Sequence, residues 1–150
     1  MPPITCHILD SSVGKPASNV LCCLYKVFPE KNDTETLFAM NNTNGDGRIS
    51  SWIVNPNLGI DWLRANISSS ACSFKEIPNT EGKSSKSEWQ SGITCGQYKI
   101  RFYTKKYFDA KQEKTFYPFV DIYFHIENNT EHYHIPLLLT NYSYTTYRGS

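Results

Sequence analysis

The sequence predicts an all-β fold, a β-sandwich of short strands with one short helix. Runs in which apolar and polar residues alternate are separated by clusters of Gly, Pro, Asn and Ser, and this spacing is typical of a sandwich. A chain of 150 residues can bury one sizeable core but is short for two. We therefore expect a single domain over residues 1–150 with about seven or eight strands.

The first strands follow in order along the amino-terminal third. Residues 4–9 predict the first strand, and the Gly and Pro that follow predict a turn. Residues 20–27 are apolar on both faces, which favours an interior strand. Residues 35–40 predict a short third strand.

Residues 41–47 predict a tight turn immediately before Arg48, because the glycines of this segment accept backbone angles that other residues resist. The oxygen-bearing side chains of Asn42, Asn44 and Asp46 also allow a calcium-loop interpretation. The closing carboxylate of such a loop would fall at Ile53, which cannot bind calcium, and this argues against it.

The second half predicts a helix and several strands. Residues 60–66 are compatible with about two helical turns, and residues 79–87 with a loop. Residues 96–104 alternate as a half-buried strand, with Tyr98, Ile100 and Phe102 inward and Gln97, Lys99 and Arg101 outward. A short helix at 105–114 and a strand at 119–126 complete this region.

The last strand pair has two different faces. Alternation places Tyr133, Ile135, Leu137 and Leu139 on one side, and His132, His134, Pro136 and Leu138 on the other. With 39% hydrophobic residues the chain can fill its core without imidazoles. His134 is therefore a candidate for a functional surface.

Composition excludes several classes of partner. Fifteen basic against 14 acidic residues give a net charge of +1, which offers no positively charged surface for nucleic acid or an anionic membrane.

The five cysteines form no Cys-x-x-Cys pair, so we expect reduced thiols. The sequence has no signal peptide, apolar span or Ser-Lys-Leu terminus, so we expect an intracellular, cytoplasmic protein without peroxisomal import by that route.

Three separated motifs carry a family resemblance. They are Thr-Cys-His-Ile-Leu-Asp (5–10) with Gly-Lys-Pro-Ala (14–17), Thr-Asn-Gly-Asp-Gly-Arg (43–48), and His-Ile-Pro-Leu-Leu-Leu (134–139) with Tyr-Arg-Gly-Ser (147–150). In this order they resemble the 5-hydroxyisourate hydrolases, the enzymatic members of the transthyretin-like family. The resemblance implies a transthyretin-like sandwich of two four-stranded sheets, assembled as a homotetramer with sites at subunit interfaces.

The resemblance also implies an activity, the hydrolysis of the cyclic amide of 5-hydroxyisourate to 2-oxo-4-hydroxy-4-carboxy-5-ureidoimidazoline in urate degradation. Its motif positions imply His7, Arg48 and His134 as catalytic residues. His7 and Arg48 would also bind substrate, together with Tyr147 and Ser150. Histidine titrates near neutral pH and can move the protons, while arginine offers a fixed charge and a planar fork. The resemblance implies no metal and no organic cofactor.

Compared with the family, residues 52–92 are expected to be an insertion, since family members cross this interval in a shorter span. Three interpretations of the insertion stay open: an addition without a function of its own, a lid, or an arm that binds another protein. Two further alternatives stay open. A transthyretin-like carrier would bind a small molecule without catalysis in the corresponding channel. A zinc site would use His132 and His134, for which no third ligand is evident.

Overall fold

The structure, a computed structural model, describes residues 2–67, 73–77 and 86–150. The strands of the first half are β1 Ile4–Asp10, β2 Lys15–Pro16, β3 Leu21–Phe28, β4 Thr34–Asn42, β5 Arg48–Ile49 and β6 Trp52–Val54. Those of the second half are β7 Ser73–Ile77, β8 Lys86–Ser91, β9 Gly96–Phe102, β10 Val120–Ile126, β11 Tyr133–Leu139 and β12 Tyr144–Thr146. The helices are α1 Ile60–Asn66 and α2 Thr104–Ala110, and a 3-10 turn spans Pro29–Lys31.

Two sheets form the sandwich, which confirms the predicted fold class. The five-stranded sheet has the order β12-β11-β1-β2, with β5 also paired to β1, and the seven-stranded sheet has the order β10-β9-β3-β4-β6-β8-β7. The expectation of four strands in each sheet was wrong in number. Because β2 and β5 pair with different parts of β1, the first sheet gains a short fifth strand. The second sheet continues past β4 through β6, β8 and β7.

The three additional strands and α1 all come from residues 52–92, where the sequence predicts an insertion. Trp52 of β6 is paired with Trp89 of β8, and both indoles are buried. The Trp52 indole N–H donates to the carbonyl oxygen of Ile4 at 2.8 Å, which links this extension to β1. Of the loop predicted at 79–87, residues 79–85 lie outside the described residues and Ser87 belongs to β8.

The helices differ from the sequence prediction in number and extent. The predicted segment 60–66 is helical, and it packs its one buried residue, Leu63, into the core. The other helix covers Thr104–Ala110 rather than 105–114. The described residues therefore contain two short α-helices, where the predicted fold class had one. Within the described ranges, no helix is long and apolar enough to cross a membrane.

The inner faces of the two sheets make the core and follow the predicted alternation. On β9, Tyr98, Ile100 and Phe102 are fully buried. The four apolar residues that the sequence places inward on β11 are also buried, namely Tyr133, Ile135, Leu137 and Leu139. Cys6, Cys22, Cys23 and Cys95 are free thiols, whereas Cys72 lies outside the described residues. The outer face of the five-stranded sheet therefore remains available for polar residues.

A buried carboxylate ties β1 to α2. Asp10 has no exposed surface, and it accepts hydrogen bonds from the Tyr107 hydroxyl at 2.7 Å and the Lys111 ammonium at 2.9 Å. Burial alone would raise the pKa of Asp10, but hydrogen bonds from Ser12, Lys111 and Tyr107 outweigh it and lower the pKa. The ionised form therefore contributes to stability at neutral pH.

We predict that Asp10→Asn lowers the free energy of unfolding at pH 7 by about 1.5–3 kcal/mol, since hydrogen bonds to a charged group are lost. Because the folded pKa is depressed, this contribution is present above the unfolded pKa and disappears as pH falls through the folded pKa. Urea unfolding should therefore separate the two proteins at pH 7 and bring them together in acid.

The matched control is Asp109→Asn, which removes an exposed i,i+4 pair with Lys105. Such a pair contributes about 0.5 kcal/mol or less. An equal loss in both variants would contradict the role assigned to Asp10.

Candidate active site

The register of β1 collects the candidate residues on one face. Its parallel pairing with β11 sets Thr5 beside His134 and His7 beside Pro136. Its antiparallel pairing with β5 sets His7 beside Arg48. Directly paired residues project from the same side of a sheet, and the alternate residues Ile4, Cys6 and Ile8 are buried. Thr5, His7, Arg48 and His134 therefore share the outer face.

The turn before β5 is shaped by its own side chains. The Asn44 side-chain oxygen accepts the backbone N–H groups of Asp46 at 2.9 Å and Arg48 at 3.0 Å. Gly47 has a φ of +72°, and a Cβ there would overlap the Ile8 carbonyl oxygen. Asn44 thus serves the turn that presents Arg48, which is a structural use of one of the residues in the calcium-loop interpretation.

A cleft of about 340 Å³ opens on this face. Its lining comes from β1, β5, β11, one residue next to each of β5 and β11, and the last residue. It consists of Thr5, Cys6, Arg48, Ile49, Ser50, His132, His134 and Ser150. Of the residues that the sequence predicts for the site, Arg48, His134 and Ser150 lie in this lining. His7 shares the face and is paired with Arg48, but does not itself belong to the lining of the cleft.

Burial and Arg48 keep the two candidate imidazoles uncharged. The pKa of His134 is lowered first by burial, then by the positive charge of Arg48 and by the neighbouring histidines. The pKa of His7 is lowered by burial and by Arg48, while a hydrogen bond to the backbone of Asp46 and the charge of its carboxylate act in the opposite direction. At neutral pH both rings can accept a proton, and Arg48 supplies the positive charge beside them.

Two residues that sequence reasoning left out join His134. The Thr5 hydroxyl lies 2.8 Å from Nδ1 of His134 and 3.1 Å from Nε2 of His132. Thr5 is buried and His134 is half-buried, whereas His132 is exposed. The shared face of His132 and His134 was visible in the sequence. The connection through Thr5 depends on strand pairing over more than a hundred residues, for which the sequence carries no local signal.

The carboxyl-terminal residues lie against the His134 ring. The Gly149 N–H donates to the His134 carbonyl oxygen at 2.9 Å, and a Cβ at Gly149 would come within 2.7 Å of the His134 ring. Arg148 turns away, pairs with Glu131 at 3.0 Å and stacks over Tyr133. This arrangement brings Ser150 into the lining of the cleft.

Tyr147 lines a different groove. The residue is 58% exposed, and it lines a groove of about 610 Å³ with residues of β10, β11 and β12, among them His134. The structure of one chain therefore does not bring Tyr147 together with Arg48 and Ser150. In the part of the chain that the structure describes, no three His, Cys, Asp or Glu side chains are arranged to hold a metal ion.

Comparisons with known proteins agree with the motifs. A family model described as HIUase/Transthyretin family matches residues 4–149. The 5-hydroxyisourate hydrolase of Mus musculus is 42% identical over 148 residues, covering 99% of this chain and 95% of the mouse protein.

Solved structures show the same fold. The 5-hydroxyisourate hydrolase of Klebsiella pneumoniae superposes with a TM-score of 0.62 at 22% identity, covering 98% of this chain and 92% of that one. Transthyretin from Sparus aurata gives a TM-score of 0.66 at 22% identity, covering 98% and 96%. At such identities the two structures establish the fold alone, and the fold is common to a hydrolase and to transthyretin.

The electrostatic role of Arg48 is measurable without a substrate. We predict that Arg48→Gln raises the pKa of both His7 and His134, because the positive charge that disfavours their protonation is gone. Burial and the neighbouring histidines still lower the pKa of His134, so the pKa of this ring should not reach its ordinary value. Histidine titration by NMR measures both rings in one experiment.

Arg64→Gln, on the exposed side of α1, removes the same charge away from this face and serves as the control. Unchanged pKa values of His7 and His134 in Arg48→Gln, or equal shifts in the two variants, would contradict the assignment.

Proposed function

Because the chain belongs to the HIUase/transthyretin family, we propose that it hydrolyses the cyclic amide of 5-hydroxyisourate, an oxidation product in urate degradation. The observation that carries this proposal is the meeting of two uncharged imidazoles and one guanidinium on the outer face of the five-stranded sheet. Opening a cyclic amide at neutral pH requires a proton acceptor, a stabiliser of the oxyanion and a proton donor for the leaving nitrogen.

In the proposed mechanism, His7 and His134 form the acid/base pair. One imidazole accepts a proton from water as the water oxygen bonds to the ring carbonyl carbon. Arg48 stabilises the resulting oxyanion with a charge that does not depend on pH. The carbon–nitrogen bond then breaks, and the imidazolium returns its proton to the leaving nitrogen. Ser150, at the edge of the cleft, contributes a hydroxyl contact to the substrate.

A non-catalytic carrier is the alternative from another functional class. The fold does not separate the two, because transthyretin shares it. The side chains on the outer face of the five-stranded sheet do separate a hydrolase from a carrier. A carrier channel for an apolar ligand requires apolar and small groups, whereas this cleft contains Arg48, His132 and His134. These three ionisable side chains support the hydrolase.

We further propose a homotetramer whose sites are shared between subunits. The edge strands β12 and β10 end the two sheets and leave backbone groups available for pairing with another copy. Tyr147 follows β12 directly, is exposed, and lies outside the cleft of its own chain. A substrate contact by Tyr147 is therefore proposed to reach the cleft of a neighbouring subunit.

The activity is tested by generating 5-hydroxyisourate from urate in situ and following its spectroscopic decay with and without the protein. The proposal expects the decay to accelerate in proportion to protein concentration. An unchanged decay would overturn it and leave the carrier interpretation.

We predict that His134→Ala, His7→Ala and Arg48→Ala each lower the ring-opening rate by about 10²–10⁴-fold, the contribution typical of a positioned acid or base. Arg48→Lys should also fail, since a point charge cannot reproduce the planar fork. Steady-state kinetics measure the loss, and circular dichroism verifies the fold.

Arg64→Ala is the matched control and should retain full activity, because Arg64 lies on the exposed side of α1. Near-normal turnover by His134→Ala would remove this residue from the proposed mechanism.

The shared site predicts complementation between variants. His134→Ala chains and Tyr147→Ala chains, each impaired alone, should regain activity when refolded together, because a mixed oligomer can combine an intact cleft with an intact Tyr147. The measurement is turnover of the mixture against the mean of the separate proteins, with oligomer size followed by light scattering. No gain in mixed oligomers, or a fully active monomer, would argue against shared sites.

A further inference from the structure

Thr5 occupies an unusual position between two imidazoles. Its hydroxyl has one proton to donate, yet it lies within hydrogen-bonding distance of Nδ1 of His134 and Nε2 of His132. The hydroxyl can donate to only one of these nitrogens and must accept an N–H from the other. The protonation of His132 and that of His134 are therefore connected through a single proton.

Two arrangements satisfy this geometry. In the first, Thr5 donates to His134, whose remaining nitrogen, Nε2, then carries the ring proton. In the second, Thr5 donates to His132 and accepts from Nδ1 of His134, so that Nε2 of His134 keeps a lone pair. Only the second gives His134 a free acceptor for a water proton without prior rearrangement.

The surroundings of His134 favour the second arrangement. Arg48 lines the same cleft as His134, and its positive charge lowers the pKa of the ring. Nδ1 already has the Thr5 hydroxyl as its partner, so a lone pair turned towards Arg48 would be that of Nε2. A Cβ at Gly149 would lie only 2.7 Å from Cδ2 of His134, so the Gly149 backbone leaves little room for a different orientation of the imidazole on that side. Thr5 itself is buried and His134 is half-buried, whereas His132 lies at the surface.

We propose that His132 is a positioning residue that acts through the Thr5 hydroxyl to hold the ring proton of His134 on Nδ1, leaving Nε2 of His134 as the proton acceptor. This inference rests on the proposed function for its catalytic meaning. It follows the general logic in which a base is oriented by a third group. Here that group is a neutral relay of hydroxyl and imidazole.

The test is ¹⁵N NMR of histidine-labelled protein, which reports which ring nitrogen carries hydrogen. The parent chain should show hydrogen on Nδ1 of His134 at a pH where the ring is neutral. His132→Phe and Thr5→Val should both move this hydrogen towards Nε2, whereas Thr5→Ser, which keeps the hydroxyl, should not. Thr36→Val on β4 is the matched control for loss of a strand hydroxyl on the other sheet.

The kinetic arm uses the same variants. His132→Phe and Thr5→Val should lower kcat by about 3- to 10-fold, as expected for one net hydrogen bond, with KM nearly unchanged, and Thr5→Ser should restore the rate. If Thr5→Val fails to fold, His132→Phe decides the question, because His132 lies at the surface.

A neutral His134 with hydrogen on Nε2 in the parent chain would overturn the inference, and so would an unaltered tautomer in His132→Phe. The tautomer is measured without substrate, so these outcomes are separate from the test of the hydrolase. A protein without ring-opening activity would remove the proposed function even if the tautomer shifts as expected.

Discussion

The hydrogen-bonded pairing of β1 with β11 on one side and β5 on the other sets the position of every residue on the candidate face. A slip of one residue in this register would turn His7 into the core and Cys6 towards solvent. The buried alternate residues, Ile4 and Ile8 among them, make such a slip costly, since each removes its apolar side chain from water. The core thus stabilises the outer face without contributing atoms to it.

Local patterning predicted most of the fold, because alternation and turn residues act over a few positions. It did not predict the extension of the seven-stranded sheet by β6, β8 and β7, whose pairings join distant segments. It also predicted Lys99 as an outward residue, and the structure shows it only 3% exposed in an ion pair with Glu35 at 2.6 Å. The Lys99 side chain does project from the outer face of its sheet, as predicted, but Tyr25 and the Glu35 carboxylate cover it there. Alternation of apolar and polar residues cannot predict such a cover.

The candidate site was predictable where motifs carry it. His7, Arg48 and His134 lie in three separate motifs, and strand pairing brings them to one face. Thr5 was given no role, and His132 was considered only as a possible zinc ligand. Their contact joins residues 127 positions apart, so local sequence does not show it. Tyr147 also belongs to a motif, yet in a single chain it lines another groove. Local sequence does not predict the direction of an exposed side chain that follows an edge strand.

The proposed mechanism requires the imidazoles of His7 and His134 to act on one substrate as a unit, beside the fixed positive charge of Arg48. The most direct test is a double-mutant cycle in which kcat/KM for ring opening is measured for His7→Ala, His134→Ala and the double variant. Groups that act together are strongly non-additive, so the double variant should be little worse than the poorer single variant. Losses that multiply in the double variant would show that the two histidines act independently and would contradict the account.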